Sequence, residues 1–273
     1  MLENNDTLYV SDLDGTLLRS DETLSQYTID VINELTNKGI YFSYATARSY
    51  VTSKKVTAGL DARIPLIVYN GTFVIDNQTE EILIANYFKP DIMAVLDELF
   101  DNKIYPVVYS FVDGKECFSF IPEKINNGTR AFLDTRKGDK RWREAENEPD
   151  LTKGNLFYIT CIDSKEKLEP FYKKYKDKYH VVFQEDIYTK EQWLEIMPKE
   201  ASKSNAILQL KEYLGLKRVV SFGDALNDID MFKISDEAYA VENSFEELKR
   251  EASGVIGSNN EDGVARWLSS NLS

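Results

Sequence analysis

The sequence is poor in the residues on which several kinds of active site depend. It contains one histidine, His180, and two cysteines, Cys117 and Cys161. A single imidazole excludes sites that need two or three histidine ligands, and the cysteines form no CxxC pair that would indicate zinc or a redox centre. Neither cysteine is followed six residues later by arginine, so a cysteine-based phosphatase loop is excluded. We expect no disulfide framework, and we expect His180 to be a structural or surface residue.

Long hydrophobic runs and an excess of basic residues are also missing. No run approaches the roughly 18 apolar residues of a membrane-spanning helix, and the first residues do not resemble a signal peptide. The 33 Lys and Arg against 46 Asp and Glu give a net charge of −13, which argues against a nucleic acid partner. We expect a folded, soluble, cytoplasmic protein that contacts neither nucleic acid nor membrane. No protein partner is implied.

The apolar pattern divides the chain into three parts. Up to residue 82, short apolar runs alternate with helical stretches, which predicts a parallel sheet with right-handed crossovers. Residues 83–190 contain four further apolar runs with only two helical stretches between them, which predicts an α+β domain. From residue 191 the first pattern resumes with the run WLEIMP of residues 193–198. We therefore predict an α/β protein whose core domain (residues 1–82 and 191–273) carries an inserted domain (residues 83–190).

One segment of the inserted part, residues 136–150, is highly charged and low in apolar residues. This composition predicts a solvated loop or a frayed helix. The alternative is a basic patch that grips the substrate.

Two aspartates directly follow the first apolar run, in the sequence DLDGT of residues 12–16. Asp12 and Asp14, in the turn that leaves a buried strand, suit a hard cation together with a reacting group. An acidic turn in which glycine supplies a positive φ is the alternative. A calcium-binding loop is excluded, because Leu17 and Thr23 stand where an EF-hand needs glycine and glutamate.

Two polar residues occupy comparable positions further along the chain. Thr46 ends the second predicted strand, where its hydroxyl and the adjacent N–H groups could hold phosphate oxygens or could cap the next helix. Lys203 lies at the start of a helix that begins near Ser202, where a positive charge opposes the helix dipole unless an anion binds there. An ordinary exposed lysine is the alternative.

The fourth segment, GDALND of residues 223–228, follows the predicted strand RVVSF. Clustered carboxylates such as Asp224 and Asp228 repel one another and shift their pKa values upward, and a divalent cation removes that cost. Because the carboxyl ends of parallel strands meet at one edge of a sheet, we expect all four segments to lie together.

In this order, the four segments resemble the motifs of the haloacid dehalogenase-like hydrolase superfamily, and within it those of the Cof-like phosphatases. DLDGT is similar to the first motif, Thr46 to the second, Lys203 to the third and GDALND to the fourth. The resemblance covers essentially the whole chain. It implies a Rossmann-like core with an inserted α+β cap domain. It also implies a Mg²⁺-dependent phosphatase that hydrolyses a small phosphorylated metabolite through an aspartyl-phosphate intermediate.

The resemblance further implies a role for each matching residue. Asp12 would be the nucleophile, and Asp14 would protonate the leaving alcohol and then activate water. Asp12, the carbonyl of Asp14 and Asp224 would ligate Mg²⁺, with Asp228 as a supporting carboxylate of the same metal site. The groups that would bind the phosphoryl oxygens are the backbone of Leu13 and Ala47 and the side chains of Thr46, Lys203 and Asn227.

The place of the insertion also fits the Cof-like proteins. Only about 25 residues lie between the first motif and the second predicted strand, so the inserted domain falls between the second and third motifs. The resemblance implies that this domain closes over the site and selects the leaving group. Arg48 and Asn70 would face this interface and contact the substrate, with simple helix or turn roles as the alternative. Ala47 and Ser204 stand where the family usually has glycine, a departure that would matter only if positive φ were required there.

Two other functions are compatible with the same motifs. A phosphomutase would need a sugar, instead of water, to attack the aspartyl-phosphate. A non-catalytic protein that binds phosphorylated metabolites could use an inactive enzyme scaffold, but the presence of both the nucleophile and the acid argues against it. A receiver domain is excluded by the length of the chain and the order of its motifs.

Overall fold

The computed structural model describes residues 6–186 and 190–272, in which strands and helices alternate for much of the chain. The strands are β1 (Thr7–Asp12), β2 (Tyr41–Ala45), β3 (Pro65–Val68), β4 (Phe73–Asp76), β5 (Ile82–Ala85), β6 (Val107–Val112), β7 (Lys115–Phe120), β8 (Trp142–Glu144), β9 (Asn155–Asp163), β10 (His180–Glu185), β11 (Gln192–Met197), β12 (Arg218–Gly223), β13 (Glu237–Val241) and β14 (Gly254–Ile256). The helices are α1 (Gln26–Asn37), α2 (Tyr50–Val56), α3 (Ile92–Asp101), α4 (Asn127–Asp134), α5 (Glu148–Leu151), α6 (Lys165–Tyr175), α7 (Lys203–Tyr213), α8 (Ile229–Lys233), α9 (Glu246–Glu251) and α10 (Gly263–Leu272).

The chain forms two compact units. One combines the described residues up to Ala85 with those from Ala201 onward, and the other spans Asn86–Glu200. The boundaries between the units, at 85/86 and 200/201, each lie later in the chain than the expected boundaries at 82/83 and 190/191. Strand pairing explains the difference. β5 pairs with β4 of the first unit, and β11 lies between β9 and β10 of the second.

The first unit is a sheet in the order β14-β13-β12-β1-β2-β3-β4-β5. The strands from β14 to β3 in this order are parallel, and β4 and β5 add an antiparallel hairpin at one edge. Helices cover both faces, as alternate side chains of β1 show. Leu8 and Val10 pack in one apolar cluster with α7, whereas Tyr9 lies against Trp267 of α10, with ring centroids 6.3 Å apart. The predicted Rossmann-like α/β class is confirmed.

Local sequence explains where the helices of the first unit begin. The Ser25 hydroxyl accepts a hydrogen bond from the N–H of Thr28 at 3.0 Å and caps α1, which buries Ile32 and Leu35. Ser202 caps α7 in the same way by accepting from the N–H of Asn205 at 3.1 Å. Ser49 caps α2 by accepting from the N–H of Thr52, and the helix ends at Val56.

The second unit is a sheet in the order β10-β11-β9-β6-β7-β8, antiparallel except between β7 and β8. The run WLEIMP was predicted to begin the return to the core domain, and this was wrong, because β11 pairs with strands on both sides in the second sheet. α3 and α6 pack on one face of that sheet around Leu96, Leu99 and Leu168. His180, half-buried, begins β10, and both cysteines are free thiols.

The charged segment of residues 136–150 is more ordered than a solvated loop or frayed helix. It contains β8 and the start of α5, and its charges pair with one another or with neighbouring strands. Arg141 bonds Glu116 at 2.9 Å and Asp139 at 2.7 Å, and Arg143 bonds Asp150 at 2.6 Å. These ion pairs join the segment to β7 and to the start of α5. Within the described ranges, no helix is both long and apolar enough to span a bilayer.

Candidate active site

Three neighbouring parallel strands of the first sheet end side by side. β1 lies between β12 and β2, with Ser11 opposite Phe222 and Asp12 opposite Ala45. The strands run in the same direction, so their carboxyl ends and the loops that follow share one edge. The loop after β1 begins at Leu13, the loop after β2 at Thr46 and the loop after β12 at Asp224. The sheet therefore brings three of the four sequence segments together.

The remaining segment, which contains Lys203, reaches this edge at the start of α7. Lys203, the first residue of α7, contacts Asp12 through its ammonium group, and its Nζ lies 2.9 Å from Oδ1 of Asp228. All three side chains are at most 9% exposed. Such a buried cation between two carboxylates is a structural and electrostatic element of the site, so the alternative of an ordinary exposed lysine is excluded.

Asp224 completes a cluster of three carboxylates. Asp12, Asp224 and Asp228 each have a carboxylate oxygen within 4.8 Å of the others. Asp224 Oδ1 accepts a hydrogen bond from the Thr16 hydroxyl at 2.9 Å. Three carboxylates and one ammonium leave two negative charges uncompensated, and an all-oxygen donor set suits a hard divalent cation. The residues present therefore fit a bound metal ion.

Asp228 has a different environment from the other two carboxylates. It is fully buried, its Oδ1 faces Lys203, and its Oδ2 accepts from the N–H groups of Asp224 and Ala225, each at 3.1 Å. Both oxygens are thus already engaged by the protein. Asp228 therefore holds the loop that carries Asp224, as expected for a carboxylate that supports a metal site.

Burial dominates the ionisation of this cluster. It raises the pKa of Asp12 well above its usual range, Lys203 opposes the shift, and Asp228 adds to it. Burial also raises the pKa of Asp224, against the effect of the Thr16 hydrogen bond. Burial favours the neutral amine of Lys203, but Asp12 and Asp228 outweigh it and raise the pKa of Lys203. The ammonium therefore stays charged, and further positive charge is needed to keep the carboxylates ionised at low cost.

Gly15 allows the DLDGT turn to pass close to Asp224. Its φ is 80°, and a Cβ there would lie 2.4 Å from Asp224 Oδ2. Its carbonyl accepts a hydrogen bond from Asn243 Nδ2 at 2.8 Å. Only glycine satisfies both the backbone conformation and the close approach.

Gly15→Ala should therefore damage the site more than its backbone strain alone predicts. The left-handed conformation costs alanine about 1–2 kcal/mol, and the new methyl group would also displace Asp224. We expect a lower free energy of unfolding together with a large loss of turnover. Gly114→Ala is the matched control, because Gly114 has φ of 76° but open space around its Cβ position. Urea unfolding should show a lowered free energy of unfolding in both variants. Activity measurements should show lost turnover only in Gly15→Ala, and equal turnover in the two variants would contradict this account.

The loop after β2 is held by a strained turn after β3. Tyr69, Asn70 and Gly71 all have positive φ, at 51°, 53° and 91°. The N–H of Asn70 donates to the carbonyl of Thr46, and the N–H of Tyr69 donates to the carbonyl of Arg48, each at 2.9 Å. The structure thus gives Asn70 a turn role. The signal for this turn is the Asn-Gly pair at the end of an apolar run.

Gly71 brings the same turn against the start of α7. A Cβ on Gly71 would lie 2.2 Å from the carbonyl oxygen of Ser202. Thr46 is buried, and its hydroxyl oxygen accepts from the N–H of Arg48 at 3.1 Å. Neither Ala47 nor Ser204 has positive φ, so the departure from glycine at these positions carries no backbone strain.

Asp14 lies apart from the three-carboxylate cluster in its side-chain contacts. Arg48 Nε donates to both of its carboxylate oxygens, at 3.0 and 2.9 Å, and the Asp14 side chain is 48% exposed. Arg48 Nη2 also lies 3.0 Å from Glu22 Oε2. The two carboxylates raise the pKa of Arg48. Arg48 therefore joins the DLDGT segment to the loop after β2.

The remaining predicted residues divide into buried and exposed positions. Leu13 is fully buried, whereas Ala47 and Asn227 are exposed. Sequence reasoning gave no role to Glu22 or Asn243, because their partners lie far away in the chain. No local pattern marks either one.

The fold and the site together define a phosphomonoester hydrolase built on a parallel α/β sheet. Residues 9–268 match the family described as haloacid dehalogenase-like hydrolase. The chain belongs to this family, and its relatives agree with the Cof-like branch to which the motifs pointed. The predicted family and enzyme class are confirmed.

Known relatives resemble the chain over almost its full length. Two proteins of Bacillus subtilis (strain 168), YitU and YwtE, are both named 5-amino-6-(5-phospho-D-ribitylamino)uracil phosphatase. YitU is 26% identical, covering 98% of this chain and 98% of its own, and YwtE is 27% identical, covering 96% of each. The crystal structure of TM0651 from Thermotoga maritima superposes with a TM-score of 0.78 at 26% identity and covers 97% of each chain. Metal use is typical of the family.

Proposed function

We propose that this protein is a Mg²⁺-dependent phosphatase that hydrolyses a small phosphorylated metabolite through an aspartyl-phosphate on Asp12. The observation that carries the proposal is the buried contact of Asp12 with Lys203, beside Asp224 and Asp228. Because Lys203 holds the Asp12 carboxylate at the end of a strand, that carboxylate has a fixed orientation from which to attack phosphorus. It also lies where positive charge can neutralise an incoming phosphate.

The first half of the reaction forms the covalent intermediate. A carboxylate oxygen of Asp12 attacks phosphorus, and the bond between phosphorus and the ester oxygen breaks. Asp14 gives its proton to the departing alcohol. Thr46, Lys203 and the backbone at Leu13 and Ala47 would bind the phosphoryl oxygens as their charge changes.

The second half regenerates the enzyme. Asp14, now a carboxylate, takes a proton from water, and that water attacks phosphorus. The bond between phosphorus and Asp12 breaks and inorganic phosphate leaves, so the protons balance over the cycle. Asp12, Asp224 and the Asp14 carbonyl are the groups that would hold Mg²⁺, with Asp228 fixing the loop of Asp224. When bound, the ion would offset negative charge on the carboxylates and the phosphate.

The direct test is hydrolysis of p-nitrophenyl phosphate with added Mg²⁺ and with EDTA. We expect turnover that disappears in EDTA and returns when Mg²⁺ is restored in excess. Turnover that is insensitive to EDTA would refute the metal dependence. Release of inorganic phosphate, measured beside sugar products, separates hydrolysis from the transfer that a phosphomutase would catalyse.

The substrate is best sought in a panel of phosphomonoesters. The names of the relatives YitU and YwtE make 5-amino-6-(5-phospho-D-ribitylamino)uracil the first compound to test. Hexose, pentose and nucleotide monophosphates complete the panel. A preference should appear as a higher kcat/KM, since that ratio compares competing substrates directly.

A further inference from the structure

We propose that Glu22 is a positioning residue that acts through Arg48 on Asp14. The proposal rests on the function proposed above, in which Asp14 is the acid that protonates the leaving group. Glu22 belongs to none of the four sequence motifs. What points to it is its place at the end of a chain of ion pairs that leads to Asp14.

The ion pairs hold the Arg48 guanidinium between two carboxylates. Nε donates to both oxygens of Asp14, and Nη2 is shared between the two carboxylates, at 2.5 Å from Asp14 Oδ1 and 3.0 Å from Glu22 Oε2. The Arg48 side chain is only 21% exposed, against 66% for Glu22. Because the guanidinium is planar, fixing Nη2 at Glu22 also fixes the direction in which Nε points at Asp14.

The backbone of Arg48 is held as firmly as its side chain. Its N–H donates to the Thr46 hydroxyl at 3.1 Å, and its carbonyl accepts from the N–H of Tyr69 at 2.9 Å. The freedom left to the residue therefore lies in its side-chain torsions. Asp14 restricts those torsions from one side, and Glu22 restricts them further by contacting the same end of the side chain.

The turn that carries Glu22 is anchored on its other side. Arg19 forms a two-pronged ion pair with Asp262, with Nη2 at 2.9 and 3.0 Å from the two oxygens. The N–H of Ser20 donates to Asn260 Oδ1 at 3.0 Å. The turn thus presents Glu22 to Arg48 from a fixed base.

The backbone conformation of Glu22 is costly for a residue of its type. Its φ is 60°, in the left-handed region that glycine adopts without strain. Strain of this kind persists only where the surrounding structure holds the residue in place. A glycine would suit the turn better but would leave Arg48 without its second carboxylate.

The expected consequence is a defect specific to leaving groups that need a proton. The leaving group of an alkyl phosphate is a strongly basic alkoxide, so its departure depends on the proton from Asp14. The leaving group of p-nitrophenyl phosphate, p-nitrophenolate, departs without protonation. We expect Glu22→Gln and Glu22→Gly to lower kcat/KM for an alkyl phosphate of the panel by about three- to five-fold, the effect of an ion pair worth up to about 1 kcal/mol. For p-nitrophenyl phosphate, kcat/KM should stay within about two-fold of the wild type.

Stability separates positioning from a merely structural role. Glu22→Gly should unfold at the same temperature as the wild type or higher, because it relieves the positive φ, and yet it should have the larger alkyl phosphate defect. Asp21→Asn is the matched control in the same turn. Asp21 accepts from the N–H and hydroxyl of Thr23, at 3.1 and 2.6 Å, and asparagine keeps that acceptor.

Equal losses for the two substrates, or no loss for either, would overturn the role of Glu22. Solvent exchange of the Arg48 Nε–H, followed by NMR, should accelerate in both Glu22 variants, and unchanged exchange would overturn the contact itself. This measurement is independent of turnover. A wild type that hydrolyses neither substrate would therefore count against the proposed function, while the NMR result would still decide whether Glu22 positions Arg48.

Discussion

Asp12→Asn should lower kcat by on the order of a thousand-fold or more while the protein remains folded. The amide cannot attack phosphorus as a carboxylate can, so the covalent step is lost and only binding and charge stabilisation are left. Lys203 keeps Asp228 as a partner at 2.9 Å, so no buried ammonium is left unpaired. The defect should therefore appear in chemistry and not in folding.

The difference in stability between the wild type and this variant should depend on pH in a defined direction. Burial raises the pKa of Asp12 in the folded state. In EDTA this carboxyl should therefore reduce the stability of the wild type progressively as pH rises above about 4, because the unfolded chain gives up this proton first. Asp12→Asn removes that loss, so its thermal midpoint should match or exceed the wild-type value near pH 7.

Asp230→Asn is the control for removal of a negative charge near the site. Asp230 follows Asp228 by two residues but has a side chain that is 80% exposed. Its variant should keep wild-type turnover and stability. Turnover retained in Asp12→Asn would refute the assignment of the nucleophile, and unfolding of that variant would refute the account of Lys203 and Asp228.

The residues of the site that could be predicted lie at the ends of strands or at the start of a helix. Their positions follow from the order of these elements along the chain. Asp12, Thr46 and Asp224 follow apolar runs of parallel type, and such strands end at a common edge. Lys203 was expected at the start of a helix, and the helix begins there. Chain direction determines these positions before any side chain packs.

The inserted unit was harder to delimit because apolar runs do not reveal their partners. Residues 193–198 suit a buried strand in either sheet, and only pairing with β9 and β10 decides between them. The run also contains Glu195, whose pKa is raised by burial. This half-buried carboxylate depends on long-range neighbours, Tyr158 and then Arg136, that no local pattern reveals.

The same reason explains why the partners of Asp14 were missed. Arg48 was expected to contact substrate, yet its guanidinium lies between Asp14 and Glu22, which are 34 and 26 residues away in the chain. Composition predicts that charges will pair but not which ones. The arrangement depends on a turn that holds a glutamate at positive φ, and a sequence pattern would assign that conformation to glycine or asparagine.

Lys203→Met should reduce stability and turnover together, in contrast to Asp12→Asn. The substitution leaves Asp12 and Asp228 buried without the ammonium between them. Removing one member of a buried ion pair costs about 3–5 kcal/mol, because the remaining charge is uncompensated. We expect a loss of that size in the free energy of unfolding in EDTA, measured by urea titration, and a fall in kcat of on the order of a thousand-fold.

A second substitution distinguishes lost charge balance from lost packing. Adding Asp228→Asn to Lys203→Met removes one uncompensated carboxylate, so the double variant should recover part of the stability and none of the activity. Lys211→Met, in the last turn of the same helix, should change stability by only a few tenths of a kcal/mol, since its ammonium is exposed and makes a long contact of 3.5 Å with the Lys217 carbonyl. If the double variant were no more stable than Lys203→Met, packing by the lysine stem would account for the loss. Because activity should stay absent while stability returns, the pair of measurements separates the support that Lys203 gives to the fold from its contact with the transferring phosphate.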